Sequence, residues 1–505
     1  MANQRKAGAI LGYSNIVVKN IVNLLYTPLL LSFVGQTDYG VFQTANNFIV
    51  SLQLLAFGFS GAYVRFYMQR SSKDDVEGIR RLNGMYISVY ALIVLMAIAL
   101  GLTFAFNCGI LFSGSFAPDQ VRLATQVMAI LTFNVATTLL STVFDAFIVA
   151  HERFSFQQSR QMFTTLATPF FALIMLCQGW GVVGVSFAQL AVSLLLLALN
   201  MHYAIGKLGM SFTFRNKEKG LFRAVAVFSG WLFLNQVFDL ITMNVPSVVL
   251  AAVAGAAPVA IFAIAAALRS VFYSLSTTVS ALFIPMVNRI VVERDDNHEL
   301  TQLMVHVGRY QALAYCWVLG GFAVVGKWFI EVWAGPDYLQ AYWLTLAMMI
   351  PATIPLIQNT GIEIQKAKNK HKVRSVVYMI CAGIDLAITF ILSSTMGAWA
   401  AAIGYAVYIL LGSGVFMNWY YVRGIGLNMA YFWKQLLPII LVFAVVTVVC
   451  IFGTGFVPVS GLLQFFGWGA VYTLASGAAL WHLVLNDEEK NRGRRMFTKM
   501  KVIHG

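Results

Sequence analysis

Fourteen times along this chain a stretch of about 20 mostly apolar residues recurs, with short polar connections between. About 20 such residues are what a helix needs to cross the hydrocarbon core of a bilayer. Hydrophobic residues make up 59% of the chain and charged residues 11%, where a soluble domain carries roughly 25% charged residues. The mean hydropathy is +0.75. The expected class is therefore an all-α polytopic membrane protein. The predicted spans are 8–33, 41–64, 83–106, 121–149, 161–178, 181–205, 224–252, 258–287, 309–333, 338–365, 375–394, 397–419, 435–455 and 461–485.

The cations fix an orientation. If the N-terminus is cytoplasmic, thirty of the 34 Lys and Arg residues fall on inner segments, from Arg5 and Lys6 to the tail after Lys490. Lys366, Lys368, Lys370, Lys372 and Arg374 form one dense run among them. Arg122 and Lys327 lie near the outer face, and Lys19 and Arg269 fall within spans. This is the positive-inside pattern. It predicts both termini in the cytoplasm of a multi-pass protein of a bacterial plasma membrane. The net charge of +14 is spread over short loops instead of one face, which argues against nucleic acid and for anionic membrane lipids as partners.

Several chemistries are absent from the pattern. No cleavable signal peptide is expected, because the first apolar stretch is long and Lys19 interrupts it. The five Cys are scattered and read as packing residues. Gly321–Lys327 imitates a phosphate loop, but Trp328 replaces the Ser or Thr that would hold magnesium. No zinc pair occurs, and no metal or resident cofactor is expected. A polytopic glycosyltransferase or polymerase would need a sizeable outer loop, and the longest, near Asn107–Gln120, has room only for a small turn structure. The chain is read as a non-enzyme.

The first hairpin and the seventh and eighth spans look alike. Counting back from Gly35 and Gly255, Asn15 matches Asn235, Lys19 matches Asp239, and Val41-Phe42 matches Ile261-Phe262. Six crossings separate the copies, so both halves share one orientation, a parallel repeat.

Polar residues inside the spans mark the candidate site. A charge at the bilayer centre costs roughly 2.5–3.5 kcal/mol on insertion scales, so such groups should face protein or water. Asn15, Lys19 and Asn23 recur every four residues on one helix face. Asn47 lies in the second span, Asn235 and Asp239 in the seventh, Arg269 and Tyr273 in the eighth, and Asp385 in the eleventh. Two readings apply: the charges pair and hold helices together, or they wall a hydrated cavity. The cavity reading makes Asn15, Lys19, Asn23, Asn47, Asn235, Arg269 and Tyr273 substrate contacts, and Asp239 and Asp385 candidates for H+ or Na+ coupling. Gly397, Ala401 and Gly404, with Ala400, form a small-residue spacing read as close helix packing.

Three stretches carry a family resemblance. They are Tyr26-Thr-Pro-Leu-Leu through Val34-Gly-Gln-Thr-Asp-Tyr-Gly40; Phe233-Leu-Asn-Gln236 and Asp239 on to Ser280–Arg289; and Ile354–Asn359, Gly361–Ile364, Asn369–Arg374 and Met417–Tyr421. These resemble the oligosaccharide flippases of the polysaccharide-export family, within the multidrug/oligosaccharidyl-lipid/polysaccharide exporter (MOP) superfamily. The resemblance implies two six-helix lobes, 1–206 and 223–421, around a cleft with alternating access. A linker at 207–222, two further helices at 422–485 and a basic tail at 486–505 complete the expected organisation. The implied cargo is a polyprenyl-diphosphate-linked oligosaccharide moved from the inner to the outer leaflet for exopolysaccharide synthesis. Polymerases and glycosyltransferases would be its partners. The family often has a charged residue in place of Pro246 and Asn in place of Asp385. A multidrug or small-solute exporter of the same superfamily is the alternative reading.

Overall fold

The computed structural model describes residues 2–485 and 490, apart from 57–58, 113, 215–219, 221, 224, 226–228, 230–243, 282 and 369. Among the described residues there is no strand. Helix α1 (Ala2–Val50) runs into a 3-10 turn at Ser51–Ala56. It is followed by α2 (Phe59–Ser71), α3 (Val76–Phe106), α4 (Cys108–Leu111), α5 (Pro118–Ala150), α6 (Phe154–Cys177) and α7 (Gly181–Met201). Helix α8 is Asn244–Ala254. Then come α9 (Ala256–Ala281), α10 (Ile284–Glu293), α11 (Asn297–Trp333), α12 (Gln340–Ile357), α13 (Asn359–Ala367), α14 (His371–Met396) and α15 (Ala398–Ile409). Two π-helical segments, Leu410–Met417 and Tyr421–Ile425, flank α16 (Asn418–Tyr420), and α17 (Met429–Phe456) and α18 (Leu462–Leu483) follow.

Eleven helices among the described residues are long and apolar enough to cross a membrane. The first of them counts twice, because Gly35 (φ 73°, ψ 175°) breaks α1 in two. Helix α18 corresponds to the fourteenth predicted span; of the seventh, 224–252, α8 covers the end, and most of the rest lies outside the described residues. Outward-facing side chains agree with a lipid environment. On α17, Leu437, Leu441, Val445, Val448 and Phe452 are all exposed and lie along one helical face, an apolar surface too large for water.

Span ends depart from expectation where helices break. The predicted second span, 41–64, divides, and α2 starts afresh at Phe59. The eighth, 258–287, ends at Ala281, and Pro285 lies in the first turn of α10. A proline at a first helical turn gives up an amide that has no partner there anyway. The tenth, 338–365, breaks at Gln358 between α12 and α13. Gly397 does not belong to a packing stripe: its φ of +51° makes it the turn between α14 and α15. The small turn structure expected outside the third span is α4, and the phosphate-loop mimic is an unbroken part of α11.

The chain divides into two compact units, Met1–Ala263 with Ala382–Gly404, and Ile264–Cys381 with Tyr405–Gly505. In the first unit α5 is the central helix, packed on α1, α3 and α7, while α6 lies against α1 and α7. A part-buried ion pair between Arg160 Nη2 and Asp145 Oδ1 (2.5 Å) links α6 to α5. Arg160 Nη1 also donates to Asn200 Oδ1, and Asn200 Nδ2 donates to Ser141 Oγ at 2.8 Å. Gly35 and Gly255, the matched glycines of the repeat, both have positive φ (73° and 88°) and both end a span. The matched aromatics, Phe42 and Phe262, are both buried.

In the second unit α11 is the axis, packed on α12, α17 and α18. Asp296 caps α11 by accepting from His298 N at 2.7 Å, and Asn428 caps α17 through Tyr431 N at 2.9 Å. Such caps satisfy amides that a helix start leaves bare. Arg309 Nη1 donates to the Gln435 carbonyl (2.8 Å) and Nη2 to the Val484 carbonyl (3.2 Å), so one arginine of α11 ties α17 to the end of α18. Asn418 holds the π-helical region: its Nδ2 donates to the Ser413 and Gly414 carbonyls (3.0 and 2.8 Å). Its Oδ1 accepts from Gln358 Nε2 (3.0 Å) and Trp433 Nε1 (2.7 Å).

Candidate functional site

The predicted site residues fall into both units. In the first, Asn15, Lys19 and Asn23 share the first arm of α1, as their spacing requires, but their surroundings differ. Asn15 Nδ2 donates to Gln161 Oε1 at 3.2 Å, and its Oδ1 accepts from Thr165 Oγ1 at 3.3 Å, both on α6. Asn15 is thus held in a helix–helix contact. Lys19 and Asn23 are exposed, and among the described residues no ion pair or side-chain hydrogen bond engages Lys19. Asn47 is half-buried on the second arm of α1, where its carbonyl accepts from Ser51 Oγ at 2.8 Å.

Asp385 is buried, 1% exposed, in the half of α14 that belongs to this unit. Thr389 Oγ1, one turn on, donates to its Oδ1 at 3.3 Å. Gly404 of α15 lies against the same place: a Cβ there would sit 2.8 Å from both the Asp385 carbonyl and Thr389 Oγ1. Asn235 and Asp239 lie outside the described residues.

In the second unit Arg269 and Tyr273 are brought together by a residue the sequence reading passed over. Arg269 is 3% exposed at the middle of α9, and its guanidinium carbon sits 4.4 Å from the centre of the Tyr405 ring. The Tyr405 hydroxyl shares a hydrogen bond of 2.6 Å with that of Tyr273. Arg269 Nη1 also points at Met348 Sδ, 3.8 Å away. A guanidinium over an aromatic face is favoured, more so where water is excluded. Ser276, one turn beyond on α9, serves structure: it donates to the Leu356 carbonyl (2.8 Å) and accepts from Gln311 Nε2 (3.2 Å) and Asn359 Nδ2 (3.3 Å).

The tyrosines extend past Tyr405. Tyr408, one turn along α15, has its ring 6.1 Å from that of Tyr405. Tyr378 of α14 stands edge-on to Tyr408 at 5.6 Å, and its hydroxyl is 2.6 Å from Ser413 Oγ. Arg374 lies over the Tyr378 ring, 4.7 Å from its centre. None of Tyr378, Tyr405 and Tyr408 was singled out from the sequence. The three-residue interval between Tyr405 and Tyr408 is the signal that places both on one helix face.

The five cysteines are free; Cys108, Cys316, Cys381 and Cys450 are buried, as packing residues should be, and Cys177 is exposed. No group of three His, Cys, Asp or Glu side chains able to hold a metal occurs among the described residues.

Among solved structures, the chain is similar to the lipid II flippase MurJ in an inward closed conformation. The TM-score is 0.70 at 14% identity, over 94% of this chain and 99% of that one. It is also similar to an inward-facing multidrug resistance MATE family transporter of the MOP superfamily, with a TM-score of 0.60 at 13% identity, over 85% and 99% of the two chains. An outward-facing conformation of such a transporter gives 0.55 at 13% identity, over 85% and 96%. At these identities the likeness establishes the fold: a polytopic helical membrane protein of the kind MurJ and MATE transporters share. No curated protein matches the chain. The model of the family described as polysaccharide biosynthesis protein matches residues 6–291, more than half of the sequence, and the chain belongs to that family.

Proposed function

We propose that the chain is a flippase that carries polyprenyl-diphosphate-linked oligosaccharide units from the inner to the outer leaflet of a bacterial plasma membrane. Its cycle alternates access to the two sides and uses no ATP. The observation that carries the reading is Arg269. A polysaccharide biosynthesis family member places a guanidinium, 3% exposed and backed by Tyr405, midway along a membrane-crossing helix. Retaining a cation at that depth is costly. A diphosphate is the partner whose charge and fork-shaped oxygens best reward an arginine. Lys19, exposed on the first arm of α1 in the first unit, is a separate candidate cation for a diphosphate. Asn23, Asn47 and Tyr273 offer polar and aromatic contacts to the sugars.

Asp385, buried beside Thr389, is the candidate for coupling to H+ or Na+, with Asp239 as its sequence-level companion. The distribution of basic segments supports inner ends at those segments and both termini in the cytoplasm. Polymerases and glycosyltransferases of the same pathway are the expected partners.

The test is reconstitution. Vesicles holding the purified chain should expose a fluorescent lipid-linked oligosaccharide to an outside quencher faster than empty vesicles. Arg269→Ala and Lys19→Ala should each slow that exposure while insertion stays normal. Full transport in both variants removes the clamp role. Ethidium efflux by the same vesicles, with no movement of the lipid-linked sugar, would favour the multidrug reading.

A further inference from the structure

The basic run Lys366–Arg374 reads in the sequence as a topology signal, yet its members differ in the structure. Lys366 Nζ is 2.8 Å from Glu363 Oε1. Lys368 Nζ is 2.6 Å from Asp295 Oδ1 and 2.7 Å from Asn297 Oδ1. Lys370 donates to the Gly424 carbonyl at 2.5 Å, and Lys372 also has a partner.

Arg374 stands apart. No carboxylate pairs with it among the described residues; its side chain shares a hydrogen bond with Tyr378, and the phenols of Tyr378, Tyr421 and Tyr408 lie within its electrostatic reach. Its Nε is buried and meets no hydrogen-bond acceptor, although the residue as a whole is only half-buried. A buried N–H without an acceptor is a costly state that proteins rarely keep without use. Nε–H and a neighbouring Nη–H form the side of the guanidinium that grips two oxygens of a phosphoryl group at once.

A ladder of rings leads away from this cation. From Arg374 it passes over Tyr378, then Tyr408, then Tyr405, and ends at Arg269. Two arginines, one at the basic end of α14 and one at the middle of α9, are therefore joined by three neighbouring tyrosine rings, one pair edge-on and one tilted, inside one unit.

We propose that Arg374, collared by Tyr378, is a second phosphoryl-anion seat at the basic end of the eleventh span, where the headgroup of the cargo docks apart from Arg269. The inference rests on the flippase reading and adds a residue and a position to it. The seat recognises phosphoryl oxygens, which either the diphosphate of the cargo or the headgroup of a resident anionic phospholipid can supply.

The experiment uses the full chain in phosphatidylcholine nanodiscs with farnesyl diphosphate as the probe. Arg374→Gln should weaken binding roughly tenfold, the scale of one lost charge-assisted pair. Arg374→Lys, which keeps the charge but loses the fork, should fall between it and the parent. Tyr378→Phe keeps the ring and should bind like the parent, whereas Tyr378→Ala, which removes the collar, should weaken binding. If Arg374→Gln fails to fold, the Lys and Tyr378→Ala variants decide.

Equal affinity in the parent and all Arg374 variants overturns the second seat and leaves the flippase reading standing. A parent chain that binds no farnesyl diphosphate overturns both. A parallel arm uses phosphatidylglycerol nanodiscs and native mass spectrometry. Loss of retained phosphatidylglycerol in Arg374→Gln, with farnesyl diphosphate affinity unchanged, assigns the seat to a resident lipid and overturns its role in cargo binding.

Discussion

Gly40 lies near the start of the second arm of α1, just past the break at Gly35, against the start of α9. A Cβ at this position would sit 2.6 Å from the carbonyl carbon of Ala256 and 3.2 Å from its Cα. Carbon atoms settle about 3.5–4.0 Å apart, so Gly40→Ala forces the two backbones apart by about 1 Å. Backbone cannot rotate out of the way as a side chain can. Overpacking of this kind costs about 1–3 kcal/mol, while Ala in a helix returns about 1 kcal/mol over Gly. The net, about 1–2 kcal/mol at the upper part of that range, is a factor of about 5–30 in an equilibrium. If the outer turns part during each transport cycle, the methyl weights the parted form by that factor. Spin labels at Thr37→Cys and Ala257→Cys, with the exposed Cys177 replaced by Ser, report the separation by double electron–electron resonance in nanodiscs. The long-distance population should grow in the Gly40→Ala protein. An unchanged distance distribution in folded protein would refute the reasoning, because the contact would then be absorbing a methyl without moving.

Arg160→Ala leaves Asp145 without its partner in the first unit; the pair is part-buried, with the Asp145 side chain 29% exposed, so the loss lies between about 1 kcal/mol for an exposed pair and about 3 kcal/mol for a buried one. Thermal unfolding in detergent should show a clear loss, and Arg160→Met with Asp145→Leu should recover much of it. By contrast Glu77→Gln, which breaks the exposed helical pair with Arg81, should leave the same melting curve within about 0.5 kcal/mol. Gly35→Ala asks a side chain to adopt φ 73°, ψ 175°, a region open in practice only to Gly. A loss of about 1–3 kcal/mol should appear as earlier unfolding, and a neutral result would mean the turn relaxes. Asp385→Asn should abolish any dependence of vesicle transport on pH or sodium while Arg269-dependent binding of farnesyl diphosphate persists. Retained ion dependence removes Asp385 from the coupling role.

The periodic apolar stretches were enough to read the helical membrane class and the eleven long apolar helices found among the described residues. Helix breaks were less legible. The restart at Phe59, the end of α9 at Ala281 and the break at Gln358 depend on what each segment packs against, and apolar composition continues across all three. The face shared by Asn15, Lys19 and Asn23 was legible because helical spacing alone dictates it. Their separate fates were not, since only the position of α6 decides that Gln161 and Thr165 reach Asn15. Arg269 stood out as a charge amid apolar residues. Tyr378, Tyr405 and Tyr408 did not, because a tyrosine in an aromatic-rich span is ordinary until two helices bring its ring beside another. Arg374 was hidden by its company, one more cation in a basic run whose other members are all engaged.

The wide π turns of span twelve set the azimuth of everything beyond them. Tyr408 and Tyr421 are thirteen residues apart, and in an unbroken α-helix that interval would point them about 140° away from each other. Yet both lie within reach of the same guanidinium on α14. The surplus backbone in Leu410–Met417 acts as a phase correction that cancels part of that divergence. Deleting one residue there would swing the remainder of the span by about 100°, carrying Asn418 off its partners and Tyr421 away from Arg374, with every side chain still present.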